Sequence, residues 1–184
     1  LLTQAIFDLV PGNSIFLRGP YGNHFPVKQF ENKDLLIISG GTGMAPVMTM
    51  INHFYDHPEV CKSVHIISGF KNADAVLFRD EIEKFKQRFH MIPTLDNEEK
   101  EGFETGMVTA HINKVPIRSF DDYNIVIVGP PVMMRFAVAE CIKNGAEESK
   151  IWVSFERKMC CGVGKCGHCK INDTYVCLEG PVFN

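Results

Sequence analysis

The sequence predicts an α/β chain: a five-stranded parallel, doubly wound sheet in the strand order 3-2-1-4-5. A small cysteine-rich module follows the sheet, and the tail of a β-rich domain precedes it. Three observations carry this prediction. Residues 34–144 alternate apolar runs with helical patterns, the rhythm of a parallel sheet with right-handed crossovers. A glycine-rich turn, Gly40-Gly41-Thr42-Gly43, follows the first of those runs. Five of the seven cysteines lie from Cys160 onward.

Residues 1–32 stand outside the alternation. Pro11-Gly12-Asn13 and Gly19-Pro20-Tyr21-Gly22-Asn23 read as turns, with Ser14–Leu17 as a short strand between them. The chain opens on Leu1 in an apolar run rather than on Met, so a preceding segment is expected.

Residues 33–156 carry the sheet. Leu35–Ile38 is a continuous apolar run, as for a strand buried on both faces. After the glycine turn a helix is expected from Ala45 to Tyr55, with Pro46 in its first turn, where a missing N–H is harmless. Val64–Ser68 is the second strand. Asp74 is expected to cap a helix over Ala75–Phe89, with Leu77, Ile82, Phe85 and Phe89 on its apolar face. Met91–Leu95 is the third strand, and Pro93 argues that it lies at an edge. An acidic loop, Asp96–Glu104, and a short helix, Met107–Val115, lead to the fourth strand, Ile125–Val128. Pro131–Lys143 is a helix stopped by Gly145, and Ile151–Phe155 is the fifth strand. Residues 157–184 form the cysteine module.

Composition excludes several classes. A formal net charge of −3 gives no reason to expect nucleic-acid binding. No apolar run approaches the roughly 18–20 residues of a membrane span. The longest, Ile125–Met134, is broken by Gly129-Pro130-Pro131. The cysteines are odd in number and clustered. That argues against a disulfide framework and for a metal site in a reducing compartment, the cytoplasm.

The turn after the first strand has the form of a phosphate site. Glycines let a ligand approach the backbone, and the N–H groups at the helix start attract an anion. A plain packing turn would look the same. However, Val128-Gly129-Pro130-Pro131 follows the fourth strand, which this order places beside the first. The crevice between them is the switch point where such sheets bind ligands. The candidate nucleotide contacts are Gly40, Gly41, Thr42, Gly43, Met44 and Ala45 on one turn and Gly129, Pro130, Pro131 and Met133 on the other. Met133 and Met134 can equally be core fillers.

From Cys161 the cysteines are spaced Cys-x4-Cys-x2-Cys-x7-Cys, the plant-type spacing for a two-iron cluster. Zinc sites more often use two Cys-x2-Cys pairs or mixed Cys/His sets. Gly162, Gly164 and Gly167 allow backbone N–H groups to turn toward sulfur. The expected ligands are Cys161, Cys166, Cys169 and Cys177. Cys160 falls out of register, His168 reads as a surface residue or outer donor, and Cys61 and Cys141 as ordinary buried thiols. Arg157, Lys158, Lys165 and Lys170 stand without an acid among them. Such a rim suits an acidic partner, or simply compensates an anionic cluster.

Gly41-Thr42-Gly43-Met44-Ala45-Pro46, Ser68-Gly69-Phe70-Lys71 and Gly129-Pro130-Pro131-Val132-Met133 resemble successive motifs of the ferredoxin reductase-like NAD(P)-binding domain. Gly19-Pro20-Tyr21-Gly22 resembles the turn that ends that family's flavin-binding barrel. The resemblance implies that residues 1–32 are the C-terminal remnant of an FAD-binding β-barrel, residues 33–156 an NAD(P)-binding domain and residues 157–184 a [2Fe-2S]-binding module. Most of the FAD would then lie on the barrel, and the family's Arg-x-Tyr-Ser-type flavin motif has no match here. Thr42 would lie near the nicotinamide–flavin contact. Val128 stands where many members have Cys, and Lys71 where Arg is frequent, which leaves both NADH and NADPH open.

The string from Glu156 to Cys169, with Val176–Phe183, resembles the electron-transfer component of anaerobic sulfite reductase. The gamma subunits of sulfhydrogenases and the electron-transfer subunit of dihydroorotate dehydrogenase share much of it. The four ligands of that family align with Cys161, Cys166, Cys169 and Cys177. The implied function is an electron-transfer oxidoreductase subunit, passing electrons from NAD(P)H via FAD to a [2Fe-2S] cluster. They would continue to a catalytic reductase subunit, with a further iron–sulfur subunit in the assembly, for reduction of sulfite to sulfide. The alternatives are a dihydroorotate dehydrogenase or hydrogenase electron-transfer subunit, with reverse flow included, or a non-enzymatic nucleotide-binding module with structural zinc.

Overall fold

The computed structural model describes residues 2–184; Leu1, the start of the expected barrel remnant, lies outside them. Two short helices, α1 (Leu2–Phe7) and α2 (Val27–Phe30), precede the first strand. Ser14–Leu17, expected as a strand, is not one. Among the described residues nothing pairs with it, and Phe16 and Leu17 are 99% and 88% exposed. An extended run without a neighbour has no hydrogen-bonded ladder to hold it.

The sheet proper begins with β1 (Asp34–Gly40), buried along its whole length. A single 3₁₀ turn over Gly41–Gly43 leads into α3 (Met44–Asp56). Then come β2 (Ser63–Phe70), α4 (Arg79–Lys86), β3 (His90–Leu95) and β4 (Glu104–Thr105). The helix expected after them forms as a 3₁₀ helix, Val108–Lys114. β5 (Tyr123–Val128), α5 (Pro131–Lys143) and β6 (Ile151–Ser154) complete the alternation. The C-terminal module holds a hairpin of β7 (Lys170–Ile171) and β8 (Thr174–Tyr175), one turn of helix α6 (Val176–Glu179), and β9 (Val182–Phe183).

The strand order is β4-β3-β2-β1-β5-β6-β9. Its inner five are the predicted 3-2-1-4-5, all parallel. Two short strands extend it beyond the expected five: β4 runs parallel to β3, and β9 antiparallel to β6. Each contributes only two residues, too few to carry a periodic pattern. β4 pairs only with Thr94 and Leu95, so Pro93 does lie on an unpaired stretch of edge.

The alternation along β1 divides the core into two layers. Leu36 and Ile38 face Ile112, Met134, Ala137 and Cys141, below α5. Leu35 and Ile37 face Val47, Met50, Ile51 and Phe54 of α3 and Phe85 of α4. Each fully buried Leu or Ile contributes about 1.5–3 kcal/mol, so this strand anchors both layers. Phe30 joins the second layer, with its ring centroid 5.6 Å from that of Trp152.

The second helix differs from expectation at its start. Asp74 does not cap it: Asp74 lies in a separate 3₁₀ turn, Ala73–Ala75, which Asn72 caps with its Oδ1 accepting the Ala75 N–H at 3.0 Å, and α4 itself has no side-chain cap. Phe78 sits at φ +56°, in the left-handed region, which breaks the path before α4 begins at Arg79. Leu77 therefore precedes the helix and is 37% exposed, whereas Ile82, Phe85 and Phe89 are buried.

β9 ties the module to the sheet. The Phe155 N–H donates to Pro181 O at 2.9 Å, and Asn184 Nδ2 donates to Ser149 O and Ile151 O. Among the described residues no helix is long and apolar enough to cross a membrane.

Candidate nucleotide cleft and cysteine centre

Two strand ends meet at the carboxyl edge of the sheet. A Cβ on Gly43 would lie 2.3 Å from Val128 O and 2.9 Å from Gly129 Cα. A Cβ on Gly129 would lie 3.1 Å from Gly40 N. The turns after β1 and β5 thus interlock backbone to backbone, and only glycine permits that approach. Gly41, at φ +56°, makes the left-handed step that starts the turn. The first turn leads into the N–H groups of α3, suited to an anion. The second has Pro130 and Pro131, which bring shape rather than donors.

Above these turns lies a cleft of about 980 Å³, at the upper end of the usual size for ligand sites. Thr42, Gly43 and Ala45 line it from the first turn, and Gly129, Pro130 and Pro131 from the second. The other predicted contacts are placed differently. Met44 is fully buried in the core, where its Sδ accepts from Ser39 Oγ at 3.5 Å and Ser68 Oγ at 3.3 Å. It is a core residue rather than a cleft contact, because α3 lies on the sheet with this first residue turned toward Val47, Met50 and Ile51 of the buried layer. Met133 packs between Gly40 and Gly129, in the space their missing Cβ atoms leave. Met134 lines the cleft in its stead. Gly40 and Gly41 do not line the cleft: Gly40 packs against Met133, and Gly41 makes the left-handed step of the turn.

The opposite wall was not foreseen. Ser154, Phe155, Glu156, Arg157 and Met159 line it as the chain leaves β6, with Ile171 and Pro181 from the module. The signal was available: β6 is another parallel strand ending at the same edge.

The cysteine loop begins where that wall ends. Cys169 and Cys177 are 1% and 2% exposed and pack with Val176, Met159 and Phe183, whereas Cys166 and Cys160 are exposed and Cys161 is intermediate. Gly162, Gly164 and Gly167 all have positive φ, which lets the backbone curl around the sulfurs. Val163 N–H and Lys165 N–H lie 3.5 and 3.4 Å from Cys161 Sγ, and Gly164 N–H lies 3.3 Å from Cys177 Sγ.

These donors hold the Cys161 thiol below its usual pKa, with the Cys166 N–H adding to them. The N–H groups of His168 and Cys161 bring Cys166 down to about 7. His168 thus acts through its backbone. Burial, reinforced by Cys169, pushes Cys177 up. Burial also pushes Cys141 up to about 12 and raises Cys61, as for inert thiols.

The Cys161 thiol interacts with that of Cys166 and the Cys177 thiol with that of Cys169, and Cys161 also acts on Cys177. Among the described residues no three His, Cys, Asp or Glu side chains gather as a single-ion site. Four neighbouring thiols with N–H donors directed at them fit an iron–sulfur cluster.

The segment before the sheet braces this loop. Asn23 Nδ2 donates to Glu179 O and Val182 O, both at 2.7 Å, and its Oδ1 accepts the Val182 N–H at 2.9 Å. A Cβ on Gly162 would lie 2.4 Å from Tyr21 Cε1. Arg18 Nη2 donates to the carbonyls of Cys160 and Cys161. Nothing local in the sequence signals these contacts, because the partners lie 142 to 159 positions away.

Residues 37–139 match the family described as the oxidoreductase NAD-binding domain. Residues 156–184 match the iron-sulfur cluster binding domain of dihydroorotate dehydrogenase B. Sulfhydrogenase 2 subunit gamma of Pyrococcus furiosus is 33% identical over 201 residues, covering 99% of this chain and 69% of that protein. The probable dihydroorotate dehydrogenase B (NAD(+)) electron transfer subunit of Thermoplasma volcanium is 30% identical, covering 99% of this chain and 64% of that protein. The chain therefore spans about two thirds of the length of these curated relatives.

Among solved structures, an NADH-dependent reduced ferredoxin-NADP oxidoreductase superposes with a TM-score of 0.73 at 24% identity, over 98% of this chain and 62% of that one. The cytochrome b5 reductase domain of Ulva prolifera nitrate reductase superposes at 0.71 and 19% identity, over 84% of this chain and 64% of that one. Both share the largely parallel α/β fold.

Proposed function

The chain belongs to the oxidoreductase NAD-binding domain family, and on that premise we propose that it is the electron-transfer subunit of a hetero-oligomeric, cytoplasmic oxidoreductase. It would take electrons from NADH or NADPH and pass them to a catalytic partner. One observation carries this: the cleft and the cysteine centre share a wall, with Met159, Arg157 and Ile171 lining the cleft from the module side. Met159 lines the cleft and packs against the buried cysteines, so a nucleotide site and a thiolate centre stand one side chain apart.

When bound, the nicotinamide supplies a hydride, an FAD separates its two electrons, and a [2Fe-2S] cluster carries them singly. The chain's own residues position and tune. The α3 N-terminus receives the pyrophosphate, while Gly43 and Gly129 let the turns after β1 and β5 lock together beneath it. Thr42 lines the cleft, and Phe155 and Met159 form an apolar wall that excludes water. Cys161, Cys166, Cys169 and Cys177 hold the cluster. The exposed Phe16 and Leu17 pack against the barrel that carries the flavin.

The partner docks over the exposed end of the cysteine loop. Val163 and Leu178 are each 54% exposed there. Arg157, Lys158 and Lys165 make no ion pair among the described residues, whereas Lys170 pairs with Asp173 at 3.2 Å. An acidic rim on the partner complements them.

For the terminal reaction, the string from Glu156 to Cys169 supports sulfite reduction to sulfide. The relatives support a second reading, a hydrogenase or dihydroorotate dehydrogenase partner. Metal and sulfide analysis with EPR tests the centre. The expected result is a brown protein with the signal of a reduced two-iron cluster. A colourless protein with stoichiometric zinc would overturn the proposal.

A further inference from the structure

Arg18 reaches a loop 142 positions away, and it does so in a particular way. Its Nη2 donates to two consecutive carbonyls, those of Cys160 at 3.0 Å and Cys161 at 2.9 Å. In a trans peptide the C=O and the following N–H point in opposite directions. Two consecutive carbonyls turned toward Arg18 therefore turn the N–H groups of Cys161 and Gly162 to the far side. Gly162, at φ +71°, gives the backbone the freedom to do this. Successive N–H groups on one side make a nest, a concave anion site that recurs around iron–sulfur clusters.

On that far side lie the sulfurs. The Cys161 N–H is directed at Cys166, beside the His168 N–H. Val163 and Lys165 direct theirs at Cys161 Sγ. Tyr21, from the same segment as Arg18, fills the space at Gly162, and the guanidinium lies 5.4 Å over its ring. The Tyr21 hydroxyl is buried there without a partner among the described residues.

We propose that Arg18 is a positioning residue for the metal centre. By holding the Cys160 and Cys161 carbonyls outward it keeps the loop's N–H groups on the sulfurs, and its charge balances the anionic centre. The backbone carbonyl of Cys160, not its thiol, is then the part of that residue the centre uses. The N-terminal segment thereby sets both the hold on the metal and the reduction potential. The inference rests on the iron–sulfur reading of the loop.

The test compares wild type, Arg18→Ala, Arg18→Gln and Lys158→Ala as holoproteins. The readouts are iron and sulfide content, reduction potential, Fe–S stretching bands and the rate of iron release to a chelator. N–H donors and a nearby cation favour the more negative, reduced centre, so Arg18→Ala should lower the potential. It should also shift the stretching bands and release iron about tenfold faster, the scale seen when outer-shell partners of metal ligands are lost. Arg18→Gln keeps a donor without the charge and should shift in the same direction by less. It carries the test should Arg18→Ala not fold. Lys158→Ala, a cation of the same loop without these bonds, should leave the bands unchanged. Wild-type bands and release rates in the Arg18 variants, or an equal band shift in Lys158→Ala, would overturn the proposal. A colourless wild type would instead overturn the iron–sulfur reading itself.

Discussion

Gly43→Ala adds one methyl group at the place where the turns after β1 and β5 touch. The new Cβ would lie 2.3 Å from Val128 O and 2.7 Å from Val128 C. The first distance is more than 1 Å inside the roughly 3.5 Å optimum for such contacts. The obstacle is backbone, so no rotamer change relieves it and the turns must part. Overpacking of this kind costs about 1–3 kcal/mol. If the displacement is borne by the ligand-bound state, nucleotide affinity falls about 5- to 150-fold, at tenfold per 1.4 kcal/mol. Isothermal titration of the holoprotein with NADH and NADPH reads the change, with iron content as the control for the cysteine centre. Gly145→Ala is the control for a stability loss alone, because its strain, at φ +98°, lies at the far end of α5. It should lower the melting temperature and leave affinity unchanged. Wild-type affinity in Gly43→Ala would refute the assignment of this turn to the nucleotide.

Three further outcomes are expected. Cys166→Ser should abolish the intact cluster, by iron and sulfide analysis, while Cys160→Ser retains it; equal loss in both would defeat the ligand assignment. Asn23→Ala removes three hydrogen bonds to the module and should destabilise it by about 1–3 kcal/mol, seen as faster amide exchange at Val182. Unchanged exchange there would show that the brace is dispensable. His65 is stacked on His90 at 4.6 Å, and burial, then the His90 charge, lower its pKa to about 4. A base whose folded pKa lies below its unfolded value of 6.5 resists protonation in the folded state. Stability should therefore fall as pH drops from about 6.5 toward 4, and His65→Phe should flatten that limb of a denaturation-versus-pH curve. An identical slope in the variant would contradict this.

The sequence made the sheet legible because burial on both faces leaves a continuous apolar run, as at Leu35–Ile38 and Ile125–Val128. Pro131, by its fixed φ, and Gly145, by its freedom to take φ +98°, marked the limits of α5, which spans Pro131–Lys143 as expected. Local competition was harder to see. Asn72 and Asp74 are both good caps, yet Asn72 caps only a 3₁₀ turn, and the left-handed residue Phe78 starts α4 beyond both of them. β4 and β9 are made by their neighbours rather than by their own sequence.

The same division holds at the site. The cysteine spacing and the two glycine turns could be read locally, since each is a short motif with a mechanism. Met44 could not, because whether the first residue of a helix faces the ligand or the core depends on how the helix sits on the sheet. Arg18, Tyr21 and Asn23 carry no local pattern at all, and only the folded chain brings them to the loop.

Nucleotide cleft and cysteine centre, on this reading, form one electron path. Anaerobic titration of the holoprotein with NADH, and separately with NADPH, tests it most directly, with the visible absorbance of flavin and cluster followed together. The expected result is that at least one nucleotide bleaches the flavin and the cluster in step, at near-stoichiometric addition. A cluster that is present and chemically reducible, yet keeps its absorbance in excess of both nucleotides, would contradict it.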